Sequence, residues 1–307
     1  MISAFCLNPS FDKTVEVSAF RIGGTNRILR SRVDPGGKGV NVARVLRTLG
    51  EEVCCVCALP EKGRDEFLAL LSGSGVTMEA IATPGTLRTN TKIFSQDSSR
   101  VTELNESGVP LSSKALEDLA QKEETLKSCC AMHVLSGSLP PHASEAMYYN
   151  MIQMLSPAPV FLDASGKALL EGIKAKPLFV KPNLEEMEAV FDRPLRSRQE
   201  VQDAAYRWIE QGVGHVVVSM GGQGAMMVTA DQTVYSPAID VKVQSTVGAG
   251  DAMVAGLVYA YVHHMSLEDM LRCGTAAAAA SCMTTGTQMV RLEDYEAMLS
   301  KSVVQAI

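Results

Sequence analysis

The segment Thr246-Val247-Gly248-Ala249-Gly250-Asp251 sets two glycines and a carboxylate directly before an apolar run of Ala252, Val254, Leu257 and Val258. The glycines permit a tight turn and a close approach of backbone to a ligand. The apolar residues predict that the turn opens a helix, whose first N–H groups lack partners and form an anion site. A carboxylate placed there is a base held beside bound phosphate, which suits phosphoryl transfer to a hydroxyl. The helix dipole also predicts that Asp251 is ionised at neutral pH.

Gly36-Gly37-Lys38-Gly39 precedes a second apolar helical pattern, Val42, Val45, Leu46 and Leu49, which ends at Gly50. It can cradle a phosphate, but it is not a Walker A loop, because the four-residue spacer and the Ser or Thr after Lys are missing. Asn41, just inside this helix, adds an amide able to reach a sugar hydroxyl. Gly248-Ala249-Gly250 has a superficial likeness to a dinucleotide fingerprint. Met253 stands where the third glycine belongs, and Glu268 and Asp269 follow a helix and a Ser266 cap instead of a second strand, so a dehydrogenase is set aside.

More turn motifs follow predicted strands. Ser136-Gly137-Ser138-Leu139-Pro140-Pro141 is one, and Asp163, Ser165 and Gly166 close another strand. Ser219-Met220-Gly221-Gly222-Gln223-Gly224 can wrap a nucleotide or form an ordinary hairpin turn. In Lys181-Pro182-Asn183-Leu184-Glu185-Glu186, Asn183 and Glu186 are three apart and share a helix face. Their oxygens suit Mg²⁺ through water, and the same pair suits a helix N-cap with Glu in the first turn. Ligands of α/β sheets sit beyond the carboxyl ends of strands, where all these motifs fall.

The elements that position them read as two kinds. Ile2–Leu7, Val53–Leu59, Ala131–Leu135, Val160–Asp163, Leu178–Val180, His215–Ser219 and Ala225–Thr229 are apolar strand candidates, and helices alternate with them after Gly108. That rhythm predicts a parallel sheet with helices on both faces. Phe11–Val33 and Arg88–Glu103 alternate polar and apolar residues, the latter with a turn at Gln96-Asp97-Ser98-Ser99. Such half-exposed strands predict a small sheet beside the main body.

The chain has 307 residues, 46% of them hydrophobic, and a formal charge of −6, which argues against a nucleic-acid footprint. No apolar stretch is long enough for a membrane span, and the N-terminus lacks a secretory pattern. The eight cysteines suit a reduced, cytoplasmic protein, with Cys54, Cys55 and Cys57 on a buried strand. The five histidines show no ligand spacing; His263-His264 reads as a helix end. Trp208 and the methionines read as core.

Taken in order, Gly36-Gly37-Lys38-Gly39-Val40-Asn41-Val42-Ala43, Ser136-Gly137-Ser138-Leu139-Pro140, Lys181-Pro182-Asn183 with Glu186, Ser219 with Gly221 and Gly224, and Thr246–Asp251 resemble the ribokinase-like (PfkB) carbohydrate kinases over nearly the whole chain. Leu7-Asn8-Pro9-Ser10-Phe11-Asp12, Arg88 with Asn90, and Thr102-Glu103-Leu104-Asn105 resemble the hexose-phosphate branch of that family. The resemblance implies a Rossmann-like three-layer α/β/α core (residues 1–11, 36–85 and 109–307) and a β-sheet lid (12–35 and 86–108). It also implies a homodimer packed through the lid.

By the same resemblance, Asp251 is the base and Gly248, Ala249 and Gly250 form the anion hole. Asp12, Gly37, Lys38, Asn41, Arg88, Asn90 and Ser136 hold a ketohexose monophosphate. Lys181, Asn183, Ser219, Gly221, Gly224 and Thr246 lie along ATP, and Asn183 and Glu186 position Mg²⁺-bound water. Ala252 and Ala164 stand where the family commonly has Ser. Glu103 replaces a basic residue of the minor 6-phosphofructokinase, which favours fructose 1-phosphate or tagatose 6-phosphate as substrate, the first of these being preferred. A kinase-like sugar-phosphate sensor without turnover is the non-enzymatic alternative.

Overall fold

The computed structural model describes residues 1–98, 100–284, 288 and 290–307. In chain order the strands are β1 (Ile2–Cys6), β2 (Ser10–Val17), β3 (Ile28–Gly36), β4 (Val53–Lys62), β5 (Thr77–Thr86), β6 (Arg88–Ser95), β7 (Arg100–Asn105), β8 (Met132–Ser136), β9 (Val160–Asp163), β10 (Phe179–Val180), β11 (His215–Ser219), β12 (Ala225–Val228), β13 (Thr233–Ser236) and β14 (Gln305–Ala306). The helices are α1 (Lys38–Thr48), α2 (Arg64–Leu71), α3 (Ser113–Lys127), α4 (Met147–Leu155), α5 (Gly166–Ile173), α6 (Leu184–Phe191), α7 (Arg198–Glu210), α8 (Ala249–Val262), α9 (Leu267–Cys282) and α10 (Leu292–Lys301).

The large sheet runs β14-β13-β12-β11-β10-β9-β8-β1-β4-β5. From β11 to β5 neighbouring strands are parallel. Strand alternation sends side chains to two separate cores. Ile2, Ala4, Cys6, Cys55 and Cys57 pack with α1, α8, α9 and α10 on one face. Phe5, Leu7, Cys54 and Val56 pack with α3, α4, α5 and α7 on the other. Two buried faces explain why the strands read as continuous apolar runs. The layers are therefore helix, sheet and helix, and the Cys54–Cys57 segment is the buried strand its composition indicated.

The expectation of a parallel sheet fails at one edge. β12 and β13 run antiparallel to their neighbours, as does β14. Only the turn 220–224 joins β11 to β12, and a parallel neighbour needs a crossover of a dozen or more residues. The pattern reading also passed over β5, β13 and β14. β5 lies at the sheet edge and its burial is irregular, so it carries no apolar run; β14 is two residues long.

β3-β2-β6-β7 form a separate four-stranded sheet. Its β2–β6 pairing is parallel, and its two hairpin pairings are antiparallel. Val15, Val17 and Ile93 bury its small apolar cluster, while Ile28, Leu29, Val101 and Leu104 are each at least half exposed. Both alternating segments thus form one half-exposed sheet. The expected turn at 96–99 is described through Ser98; Ser99 lies outside the described residues.

Candidate active site

Gly248 is the N-cap of α8 at φ 83°, a left-handed conformation that glycine adopts without cost. The first helical hydrogen bond runs from Ala252 N to Gly248 O. Ala249 N turns back to Thr246 O at 3.3 Å. Among the described residues, no backbone carbonyl accepts from the Gly248, Gly250 and Asp251 amides of this turn. Of the anion hole expected at Gly248, Ala249 and Gly250, the Ala249 amide is engaged within the turn and the Gly248 and Gly250 amides are not.

Asp251 is buried, and Asn41 Nδ2 of α1 donates to its Oδ2 at 2.8 Å. Gly37 caps α1 at φ 114°. A side chain there would collide with Cys6 Sγ and press on Pro9, so the loop packs directly on the end of β1. This close seating brings Asn41 to the start of α8.

A second carboxylate organises the neighbourhood. Asp163, at the carboxyl end of β9, is 1% exposed. Lys38 Nζ lies 3.5 Å from its Oδ2 and Lys181 Nζ 3.3 Å from its Oδ1. Ser136 Oγ donates to Oδ2 at 3.0 Å. A β-carbon at Gly250 would lie 3.3 Å from Lys181 Nζ, so this lysine also lies against the first turn of α8. Lys38, Asn41, Ser136, Lys181, Gly250 and Asp251 are thus drawn together from three strand ends and two helix starts. Asp163 was missing from the site residues read from the sequence. Its signal was a carboxylate ending an apolar strand, which is where α/β ligand sites lie.

The two carboxylates titrate in opposite directions. Burial pushes Asp163 up, but Lys181, Lys38 and the Ser136 hydroxyl together outweigh it and hold the carboxyl below its ordinary value. Burial dominates at Asp251 and pushes it up to about 6, with Asp163 adding to the rise; Lys38, Asn41 and Lys181 oppose it. Asp251 is therefore still mostly ionised at neutral pH, as expected, although desolvation exceeds the dipole's fraction of a kcal/mol and brings its titration close to neutrality. Lys38 is raised, chiefly by Asp163.

The remaining expected residues fall into two groups. Asp12 and Asn90 face one another across β2 and β6. Asp12 Oδ1 accepts from Ser10 Oγ at 2.9 Å and Asn90 Nδ2 at 3.4 Å, and Oδ2 accepts from Lys92 Nζ at 2.8 Å. Arg88 donates to the carbonyls of Asn8, Pro9 and Glu106 at 2.7, 3.2 and 2.8 Å. It pins the base of the small sheet to the core with three of its five N–H donors. Lys92 is the buried cationic partner of Asp12.

The other group lies along the ends of β10 and β11. Asn183 and Glu186 form a reciprocal capping box, with Glu186 N donating to Asn183 Oδ1 at 2.7 Å and Asn183 N to Glu186 Oε2 at 2.9 Å. The N-cap reading of this pair is therefore realised. Asn183 bridges Ser219 in parallel fashion, and Gly221 to Gly224 make a tight turn that ends at φ 90°. No hydrogen bond among the described residues joins Ser219, Gly221 or Gly224 to the Asp251 cluster. Glu186 does reach the cluster electrostatically, as one of the charges that raise Lys38.

Among the described residues, no group of three or more Asp, Glu, His or Cys side chains could enclose a metal ion. The donor set fits a hard cation carried mainly by phosphate and water, with Asn183 and Glu186 as outer oxygens. Asn41 Oδ1 is buried without a hydrogen-bond partner beside Asp251, as befits a site completed by a polar ligand.

This geometry has counterparts of known kind. The 1-phosphofructokinase of Rhodobacter capsulatus is 34% identical over 309 residues, covering 100% of this chain and 98% of that protein. The 1-phosphofructokinase of Escherichia coli K12 is 33% identical over 306 residues, covering 99% and 98%. The tetrameric inhibited form of phosphofructokinase-2 from Escherichia coli superposes with a TM-score of 0.89 at 27% identity, covering 98% of each chain. The pattern of the pfkB family carbohydrate kinases matches residues 7–294. With a buried carboxylate at a glycine-capped helix start and two lysines beside it, the chain belongs to the pfkB family of carbohydrate kinases.

Proposed function

We propose that the protein is a 1-phosphofructokinase that uses ATP to convert fructose 1-phosphate into fructose 1,6-bisphosphate. The observation that carries this reading is the Asn41–Asp251 pair at the start of α8, facing Lys38 and Lys181. The full-length likeness to two 1-phosphofructokinases supports the choice of substrate.

In this reading Asp251 orients the C6 hydroxyl and takes its proton as the new phosphorus–oxygen bond forms. The Gly250 and Asp251 amides and Lys181 receive the charge of the transferring phosphoryl group. Gly248, Ala249 and Thr246 shape that turn. Asn183 and Glu186 would hold Mg²⁺ through water, and the cation would supply neutralisation of phosphate charge when bound. Ser219, Gly221 and Gly224 border the nucleotide. Asp12, Gly37, Lys38, Asn41, Asn90 and Ser136 receive the sugar phosphate. Arg88 acts mainly by fixing the base of the lid, since its donors already hold three carbonyls.

Residues 12–35 and 86–108 act as the lid over the remaining core, closing to exclude water. Strand register puts the exposed side chains of Ile28 and Leu104 on the same face of the lid as Val15, Val17 and Ile93, an apolar face that suits pairing with a second copy. No helix among the described residues is long and apolar enough to cross a membrane, and a cytoplasmic location fits the free cysteines. The deciding experiment compares kcat/KM for fructose 1-phosphate, tagatose 6-phosphate and fructose 6-phosphate, following ADP. Preference for fructose 1-phosphate is expected. Preference for either other sugar would reassign the substrate, and binding without ADP would make the protein a sensor. Sedimentation of the wild type and Leu104→Asp tests the lid dimer, which the added charge should dissociate.

A further inference from the structure

A cavity of about 420 Å³ opens between α3 and α4, on the sheet face opposite α8. Leu116, Leu119, Met147 and Met151 give it apolar walls. Glu123 of α3 lines the same cavity and is 5% exposed. No hydrogen bond or ion pair reaches its carboxylate among the described residues, and burial alone pushes it up to about 7. The only other titratable side chain on the cavity wall is His142. The volume lies within the range of small-molecule sites. Nothing in the proposed reaction uses Glu123, although an unpaired buried carboxyl is costly to keep.

The remaining walls, residues 110–111 and 141–144, continue two segments already described. The first follows the chain's return from the lid, where Arg88 holds Glu106 O and Asn8 Nδ2 holds Ser107 O. The second follows the Ser136–Pro140 turn, where Ser136 bonds Asp163 and Asn8 Nδ2 holds Leu139 O. A molecule filling the cavity would press on both the base of the lid and the substrate-side turn.

We propose that this cavity is a second binding site, for a small ligand with an apolar body and an ammonium head that pairs with Glu123, and that its occupancy acts on the lid. A cation satisfies the isolated carboxylate, whereas an anion meets it as a like charge. The methionine-rich wall adapts to apolar bodies of varied shape.

Isothermal titration of the full chain at pH 8 with 4-phenylbutylamine, 4-phenylbutanol and 4-phenylbutyrate tests the site, whichever sugar the enzyme phosphorylates. The amine should bind about tenfold more tightly than the other two. Glu123→Gln should remove that advantage and leave the alcohol unchanged. Ala120→Trp, on the exposed rim, should block all three without changing the melting temperature, and it serves as the second variant should Glu123→Gln fold poorly. Equal affinities, no binding by the amine, or amine binding that survives Ala120→Trp would overturn the site. Saturating amine should also change the KM for fructose 1-phosphate by about fivefold in the wild type and not in Ala120→Trp. An unchanged KM alongside normal binding would overturn only the link to the lid, and that readout alone rests on the kinase reading.

Discussion

The end of β9 and the start of α8 each bury one aspartate, and the two behave oppositely. Asp163 meets two ammonium groups and a hydroxyl, so its charge is fixed. Asp251 has one amide as its direct partner and shares its lysines with Asp163, so its proton is only loosely released. Burial is alike at the two positions and both feel Lys38 and Lys181, but only Asp163 is in direct contact with them. The first carboxylate is built as a permanent counter-ion that holds Lys38 and Lys181 in place. The second is left able to gain and lose a proton near neutral pH, as a base requires.

Removing the mobile carboxylate should give the largest effect on turnover. Asp251→Asn is expected to lower kcat by about two to four orders of magnitude with the fold intact; near-normal turnover would end its assignment as the base. The same variant should be more stable than the wild type at pH 8. A carboxyl whose folded pKa is raised from 3.8 to about 6 binds its proton more tightly when folded, so it erodes stability as pH rises through that window. The erosion reaches at most about 3 kcal/mol, and chemical denaturation at pH 8 measures it.

Removing the fixed carboxylate should act on the fold first. Asp163→Asn strands the buried Lys181, with the half-exposed Lys38 also losing its partner, and is expected to cost about 3 kcal/mol of stability, read as a lowered urea midpoint. A cost near zero would show that water already screens the pair. The wild-type pH profile sharpens the contrast further: kcat/KM should fall about tenfold per unit below pH about 6 as Asp251 protonates. In Asp163→Asn that acid limb should move down, because a neighbouring negative charge has gone. The smallest effect belongs to Asn41→Ala, which removes the hydrogen bond to Asp251 and should move the limb upward by less than about one unit. A downward move would mean that Asn41 acts on substrate alone.

Much of this was legible beforehand because the signals are local. Glycine before an apolar helical run marked the start of α8, and apolar runs between turns marked the parallel strands. Alternation separated the small sheet from the core. The failures share a cause as well. β12 lies antiparallel because a short turn precedes it, and its composition matches that of its parallel neighbours. Arg88, expected to hold substrate, also binds three carbonyls around the base of the small sheet, contacts between distant segments that no local signal announced. Asn183 and Glu186 satisfied two readings at once, since the same spacing serves a capping box and a water-held metal.

The amino-acid sequence by itself determined the alternation of strands and helices, the glycine-capped helix start and the presence of Asp251 within its first turn. Those follow from backbone sterics and from side-chain periodicity within a few residues. Only the tertiary structure decided that Lys38, Ser136, Asp163 and Lys181 meet, and that Asn41 leans on Asp251. Desolvation and Coulomb terms depend on distances between residues far apart in the chain, so the difference between a fixed charge and a carboxylate that titrates near neutral pH exists only in the folded molecule.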